Sequence, residues 1–234
     1  MTNRQKKERM AQIVARLEEL YPDATCALEY GGEPWRLLVM ARLSAQCTDA
    51  RVNLVSRELF REYPTLTSLA QAPLSRIEEL IRPCGLFRTK AASIKEACGL
   101  LLSRHEGRVP DTMEELLALP GVGRKIANLL LGDIYGQPAV VADTHCIRIG
   151  GRLGMYEEAL KDPHKVEKCL SGLIQPEKQS DFCHRIVQFG RDTCMARAPA
   201  CEGCPLEDLC EHRSKQKNAP RPKKSEKRGH TKDK

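Results

Sequence analysis

The chain has 234 residues, 41% of them hydrophobic, and carries a formal net charge of +7. This length allows one domain or two small ones. No apolar run approaches the roughly 20 residues that a membrane-spanning helix needs, and the first residues lack the apolar core of a signal peptide. We therefore expect a cytoplasmic protein with no membrane partner.

The positive charge is concentrated at the C-terminal end. Residues 211–234 hold ten Lys or Arg and three Asp or Glu, whereas the remaining 210 residues hold 28 of each sign. The net charge therefore does not by itself indicate that the body of the protein binds nucleic acid. Residues 214–234 lack apolar periodicity, so we expect them to form a disordered basic tail.

Apolar residues recur at helical spacing through the first half of the chain, and no strand of appreciable length is evident. The predicted helices cover residues 4–21, 35–43, 50–61, 77–81 and 86–105. Thr48 or Asp49 can cap the third of these. The sequence from Ser75 to Glu78 has the capping-box pattern that would open the fourth.

Two connections in this half contain residues that allow more than one interpretation. Gln46 lies between the second and third helices, where an ordinary loop glutamine is the simplest interpretation. Leu86 follows Gly85 at the start of the helix 86–105. An apolar side chain at such a turn is usually packed inward.

A glycine-containing turn joins two amphipathic runs in the middle of the chain, residues 113–119 and 124–135. The residues between them are Pro120, Gly121, Val122 and Gly123. The proline ends the first helix, and the glycines permit a tight turn that presents backbone N–H groups at the start of the next helix. Because those donors and the helix dipole favour an anion, the turn is a candidate site for a phosphodiester.

Two charged residues near this turn are candidates for chemistry. Lys125 lies in the first helical turn, where the helix dipole disfavours a cation, so the neutral, nucleophilic amine is favoured. Asp143 follows the apolar run 139–142 and precedes a further predicted helix at 144–152. A solvated surface lysine and a helix N-cap are the respective structural alternatives, but the combination of turn, lysine and carboxylate favours a catalytic interpretation.

The C-terminal part of the chain should also be helical. Two further helices are predicted to begin at Asp162 and Ser180, and the second of them is predicted to end at Gly190. His145 and Arg148 lie near the start of the helix 144–152 and are either phosphate contacts or surface residues.

Four of the eleven cysteines lie within 17 residues. Cys194, Cys201, Cys204 and Cys210 have the spacing C-x6-C-x2-C-x5-C. In a reducing cytoplasm such a group favours a metal site over disulfides, and four thiolates can hold zinc or a four-iron cluster. The other seven cysteines are scattered, and we expect them to be mostly small core residues.

Together these motifs resemble the endonuclease III family of helix-hairpin-helix DNA glycosylases. The resemblance spans about residues 5–213 and rests on four motifs in the family's order: LSAQCTD, LPGVGRKIANLLL, VADTHCIRIGGRLG and the cysteine spacing. It implies an all-α fold in two parts. One part would be a six-helix barrel domain with the hairpin, at 27–137. The other would be an iron–sulfur cluster domain at 138–213, against which the N-terminal segment 1–26 packs. The tail 214–234 would follow.

The resemblance also assigns roles to residues. Lys125 would be the catalytic nucleophile and Asp143 the catalytic carboxylate, while Gln46 and Leu86 would fill the gap left by an extruded base. The remaining DNA contacts would come from Gly121, Val122, Gly123, Arg124, His145 and Arg148. The four clustered cysteines would ligate a [4Fe-4S] cluster.

Such a protein would act in base excision DNA repair as a bifunctional DNA N-glycosylase and apurinic/apyrimidinic lyase. It would remove oxidised pyrimidines from double-stranded DNA through a lysine Schiff base and β-elimination, and would also act on abasic sites. We expect a monomer, associated with the nucleoid in a bacterium. Two alternatives stay open: an adenine-mismatch glycosylase, which uses water and lacks a lysine at position 125, and a non-catalytic helix-hairpin-helix DNA-binding module.

Overall fold

Helices form the regular secondary structure of residues 1–218, which are the part of the chain that the computed structural model describes. The first six α-helices are α1 Asn3–Leu20, α2 Pro34–Leu43, α3 Asp49–Glu62, α4 Leu66–Gln71, α5 Leu74–Ile81 and α6 Phe87–Arg104. The others are α7 Met113–Leu117, α8 Arg124–Tyr135, α9 Thr144–Arg152, α10 Pro163–Ser171, α11 Gln179–Asp192 and α12 Glu211–Asn218. Short 3₁₀ turns occupy Arg82–Cys84, Pro176–Lys178 and Glu207–Leu209. The predicted all-α class is confirmed, since residues 1–218 contain no strand.

The first hydrophobic core is built from one continuous part of the chain, from Leu28 to Ala139. Helix α2 lies at its centre, because seven of its ten residues are buried and it packs against α3, α6 and α8. Helices α4 and α5 pack against α6. Buried Leu116, Leu119 and Val122 join the turn between α7 and α8 to this core, so the turn has a rigid base.

The second hydrophobic core draws on both ends of the chain. Three residues of α1, Met10, Ile13 and Leu17, pack with apolar side chains of the segment 140–209, which includes α9, α10 and α11. Helix α11 is central here and packs against α1 and α9. It also contacts α8 of the first core, so the two cores meet along α8 and α11.

Two sequence-based expectations about helix ends are wrong. Helix α5 starts directly after Pro73, which occupies the N-cap position without a side-chain cap, so Ser75 and Glu78 lie inside the helix and form no capping box. Helix α11 does not end at Gly190 but continues to Asp192. The glycine instead permits close packing, since a Cβ there would lie 2.5 Å from His145 Nδ1 on α9.

The predicted disorder of residues 214–234 is wrong for its first five residues. Residues 214–218 belong to α12, which is joined to the 3₁₀ turn before it because Arg213 and Lys217 both pair with Glu207, at 3.1 and 2.8 Å. Residues 219–234 lie outside the described part of the chain. The sequence analysis also missed α4. Within residues 1–218 no helix combines the length and the apolar character that crossing a membrane requires.

Candidate active site

The turn between α7 and α8 requires a glycine at position 121. Gly121 has φ +77°, a conformation that costs little only without a Cβ. There is also no space for one: a Cβ would clash with Arg42 Nε and would lie 2.9 Å from Ser93 Cβ. Arg42 is held there by donating from Nε to Ser93 Oγ at 2.9 Å. The backbone of the turn therefore rests directly on α2 and α6.

The second glycine of the turn plays a different part. Gly123 is the N-cap of α8, has an ordinary φ of −98° and provides no side-chain cap. The first amides of α8 are thus left without a side-chain acceptor and lie next to exposed glycines. This arrangement matches the predicted anion site. Val122, by contrast, is 6% exposed and packs into the first core, so only its backbone is available to a ligand.

Arg124 forms a contact that the sequence did not suggest. Its guanidinium binds both carboxylate oxygens of Glu167 on α10, with distances of 2.7 to 3.0 Å. The hydrogen bond to Glu167 raises the pKa of Arg124. The side chain thereby links the hairpin to the second core, and its predicted contact with DNA stays a prediction.

Lys125 and Asp143 line the same cleft, which has a volume of about 540 Å³. Lys125 is exposed on the first turn of α8, and Asp143 is half-buried at the start of α9. The Oδ1 atom of Asp143 accepts a hydrogen bond from the Cys146 amide at 2.7 Å. Asp143 is therefore an N-cap, as the structural alternative proposed, and its place in the cleft leaves the catalytic interpretation open as well.

The cleft lies where the two cores meet. Leu28 and Leu129 of the first core form one side, and Val141 and Cys183 of the second core form the other. The segment 20–28 closes one end. An ion pair between Asp49 on α3 and Arg191 on α11, at 2.6 Å, spans the cleft. Sequence analysis did not single out the segment 20–28, because it carries no local pattern that marks it as part of a site.

Gln46 and Leu86 share an unusual backbone conformation. Both are non-glycine residues with positive φ, +55° and +48°, which is uncommon and costs of order 1 kcal/mol or more. Both side chains are exposed, and Leu86 is 59% exposed rather than packed inward. We call the connection 44–48 and the turn 85–86 the insertion loops.

A buried lysine ties the two insertion loops together, and sequence analysis did not identify it. Lys90 is 0% exposed and donates from Nζ to the carbonyl oxygens of Leu43 and Cys84, both at 2.8 Å. Burial lowers the pKa of this ammonium group. Since Leu43 precedes one insertion loop and Cys84 precedes the other, one side chain sets their spacing.

His145 and Arg148 lie on the side of α9 that faces α11. The Arg148 guanidinium donates to the carbonyl oxygens of Gly190 and Cys194, at 3.3 and 2.9 Å, and lies 3.3 Å from His145 Nδ1. Burial lowers the pKa of both side chains. Arg148 thus connects the start of α9 to the cysteine loop, and the predicted phosphate contacts of both residues stay predictions.

The four clustered cysteines are free thiols and line one small cavity at the C-terminal end of the second core. Within residues 1–218 no three His, Cys, Asp or Glu side chains converge as they would around a single metal ion. Four thiols around one cavity can hold zinc or an iron–sulfur cluster. Arg152 holds the loop by donating to Cys194 Sγ at 3.3 Å and to the carbonyl oxygen of Met195 at 2.7 Å.

The comparisons with known proteins agree with this geometry. The family model of HhH-GPD superfamily base excision DNA repair proteins matches residues 39–176. The iron–sulfur binding domain of endonuclease III matches residues 194–210, so the predicted iron–sulfur cluster is confirmed.

Similar proteins cover almost the whole chain. Endonuclease III from Synechocystis sp. (strain ATCC 27184 / PCC 6803 / Kazusa) is 45% identical over 206 residues, which are 88% of this chain and 93% of that protein. A non-covalent endonuclease III–DNA complex has a TM-score of 0.84 at 38% identity and covers 94% of this chain and 100% of that chain. A trapped endonuclease III–DNA covalent intermediate has a TM-score of 0.84 at 39% identity, with 93% and 99% covered. The chain therefore belongs to the endonuclease III family, the iron–sulfur DNA glycosylases and lyases of base excision repair.

Proposed function

We propose that the cleft between the two cores excises oxidised pyrimidines from double-stranded DNA and then cleaves the strand at the resulting abasic site. The observation that carries this proposal is the presence of Lys125 and Asp143 in one cleft, contributed by the two different cores. A lysine and a carboxylate are the groups that such chemistry needs, a nucleophile and a proton acceptor.

The chemistry would proceed at C1′ of the extruded nucleotide. The Lys125 amine bonds to C1′ as the bond from C1′ to the base breaks, and the bonding electron pair leaves with the base. Asp143 accepts a proton from the amine or stabilises the positive charge that develops on the sugar. The nitrogen lone pair then expels O4′, which takes a proton as the sugar ring opens, and the C=N bond of the Schiff base forms. The Schiff base makes the C2′ hydrogen acidic, and its removal breaks the C3′–O bond, so that the phosphate leaves and the strand is cut on the 3′ side. The lysine thus links glycosylase and lyase activity in one site.

The surface around the cleft suits the binding of duplex DNA. The uncapped amides of α8 can bind a phosphodiester without reading sequence. The exposed side chains of Gln46 and Leu86 on the insertion loops would enter the space left by a flipped nucleotide and would offset part of the few kcal/mol that flipping costs. A single chain supplies all of these parts, so the enzyme would act as a monomer.

The iron–sulfur cluster would be of the four-iron type and would have a structural role. Cys194, Cys201, Cys204 and Cys210 would each supply one thiolate. When bound, the group supplies covalent cross-links within a loop that contributes little apolar surface of its own. The Arg148 and Arg152 contacts with this loop transmit its position to α9, whose N-cap is Asp143.

Borohydride trapping tests the proposed function directly. The wild-type protein should form a covalent complex with abasic duplex DNA under borohydride, because reduction makes the Schiff base permanent. Lys125→Gln should abolish trapping and strand cleavage but retain DNA affinity, since the clamp consists of backbone amides. Lys7→Gln, at an exposed position on α1, is the matched control.

Three outcomes of this experiment are informative. Undiminished trapping by Lys125→Gln would show that another amine is the nucleophile. Base release from a parallel duplex that carries a damaged base, without any trapping, would indicate a monofunctional glycosylase that uses water. DNA binding without either reaction would indicate a non-catalytic module.

A further inference from the structure

A buried carboxylate and an imidazole form a pair next to the active-site cleft that the mechanism above does not use. Asp133 on α8 and His184 on α11 are in contact, with 2.7 Å between Oδ1 and Nε2. Their side chains are only 8% and 14% exposed. Ser180 Oγ donates to the same Asp133 oxygen at 3.3 Å. The pair thus joins a helix of the first core to a helix of the second.

Close helix packing builds this contact. Gly132, the residue before Asp133, is buried, and a Cβ there would lie 2.5 Å from Ser180 Oγ. The absence of a side chain brings α8 and α11 close enough for the carboxylate to reach the imidazole. The other carboxylate oxygen, Oδ2, is buried and accepts no full hydrogen bond within residues 1–218, although the carboxylate is near the Cys26 thiol, whose pKa is raised by burial and by Asp133. Such a group is costly, which points to a role other than stability.

The imidazole of His184 forms part of two cavities. It lines the active-site cleft together with Lys125 and Asp143, and it lines a second cleft of about 500 Å³ together with Asp133 and Ser180. Asp133 lies eight residues after Lys125 on the same helix, a rise of about 12 Å. A sugar held at Lys125 therefore leaves room for its base on the side of the cleft that His184 lines.

Three polar side chains of the active-site cleft are already engaged with each other or with a neighbour. Asp49 is paired with Arg191, and Gln188 donates to Asp192 at 3.1 and 3.2 Å. In His184, the Nε2 atom is bound to Asp133, while Nδ1 has no hydrogen bond within residues 1–218. His184 thus has one ring nitrogen fixed by the protein and one available to a ligand.

We propose that His184, oriented by Asp133, hydrogen-bonds the polar edge of the extruded pyrimidine and is a specificity-determining residue for base release. This proposal rests on the proposed function. A thymine-type base presents two carbonyl oxygens on that edge. With Asp133 accepting from Nε2, the imidazolium form of His184 donates from Nδ1 to one of these oxygens. When the bond from C1′ to the base breaks, the electron pair moves onto the base, so a hydrogen bond to that base strengthens as the reaction proceeds. Asp133 is a positioning residue, because it acts through the ring.

The two activities of the enzyme provide the test. A duplex that contains one thymine glycol requires recognition of a base, whereas a duplex with an abasic site has no base to recognise. His184→Phe keeps a ring but removes both nitrogens. We expect it to lower the single-turnover rate of base release by about 10- to 100-fold and to lower cleavage of the abasic duplex much less. His164→Phe, the same change at an exposed histidine of α10, is the control and should change neither rate.

A double-mutant cycle tests the role of Asp133. Asp133→Asn should lower base release by about 3- to 10-fold in the wild-type background but should have no further effect in the His184→Phe background, since its action passes through the imidazole. Additive effects would show that Asp133 acts independently of His184 and would overturn its positioning role. Equal losses on both duplexes, or unchanged base release in His184→Phe, would overturn the proposal. The trapping experiment on abasic DNA is independent of His184, so a failure here is distinguishable from a failure of the proposed function.

Discussion

The two cores are stabilised by different kinds of contact. The first, from Leu28 to Ala139, is almost entirely apolar, with Lys90 as its most buried charged side chain. The second is built around arginines that bind backbone carbonyls: Arg148 and Arg152 bind the cysteine loop, and Arg185 binds the carbonyl of Tyr21 at 3.3 Å. The first core is thus built from one continuous part of the chain, and the second joins the two ends of the chain through polar links and the cysteine loop.

Because the two cores are stabilised differently, we expect loss of the cluster to destabilise the second core much more than the first. This is the largest effect we expect. Cys204→Ser should lower the iron content from about four per chain and should remove amide protection from α9 and the cysteine loop, because the loop buries too little apolar surface to fold alone. Helices α2 and α6 should keep their protection. Hydrogen exchange with mass spectrometry, together with iron and sulfide analysis, measures both.

Cys169→Ser, a half-buried cysteine outside the loop, is the control and should keep the iron. If α2 and α6 lose protection along with α9 in Cys204→Ser, the two cores unfold as one unit and the comparison is wrong. A colourless wild-type protein with one zinc per chain would show that the four cysteines hold a single zinc ion and not an iron–sulfur cluster.

The second prediction concerns the polar group of the first core. Lys90→Met should leave the carbonyls of Leu43 and Cys84 without their buried donor and should lower the free energy of unfolding by about 2–4 kcal/mol. It should also weaken binding to abasic duplexes, because the spacing of the insertion loops is lost. Urea unfolding and a binding titration measure these effects. Lys7→Met, at an exposed site, should change neither, and a Lys90→Met protein as stable as the wild type would show that the two hydrogen bonds contribute nothing.

The third and smallest effect concerns the contact between α9 and α11. Gly190→Ala would place a methyl group 2.5 Å from His145 Nδ1 and 2.8 Å from Ile149 Cδ1, so we expect a loss of about 1–3 kcal/mol from overpacking. Gly99→Ala on α6, where nothing lies within 4 Å of a Cβ, should instead gain up to about 1 kcal/mol from helix propensity. Urea unfolding measures the two changes in the free energy of unfolding, which should have opposite signs. A Gly190→Ala protein more stable than the wild type would mean that α9 and α11 can separate at little cost.

Sequence reasoning succeeded where the pattern is local. Apolar periodicity predicted α1, α2, α3, α6 and α8 to within about one residue of their observed ends, and the cysteine spacing predicted the iron–sulfur cluster. The anion site at the glycine turn stays a prediction. Sequence reasoning failed where long-range contacts decide. Glycine is common at helix ends, but Gly190 packs against His145 and lies inside α11.

The candidate site was predicted only in part for the same reason. Lys125 and Asp143 lie in recognisable motifs, whereas Lys90, Asp133 and His184 have no local signal. A lysine in an amphipathic helix resembles a surface residue, and only the three-dimensional structure shows that Lys90 is 0% exposed. A partnership between Asp133 and His184, 51 positions apart, cannot be read from either segment alone.

The central claim is that catalysis requires a lysine from the first core and a carboxylate from the second in the same cleft. Asp143→Asn tests it most directly, because asparagine caps a helix about as well as aspartate but carries no charge. We predict that single-turnover base release from a thymine glycol duplex falls by about 100-fold or more, while the melting temperature changes by less than about 2 °C. Base release at the wild-type rate, with or without a loss of stability, would contradict the account and leave Asp143 as a helix cap alone.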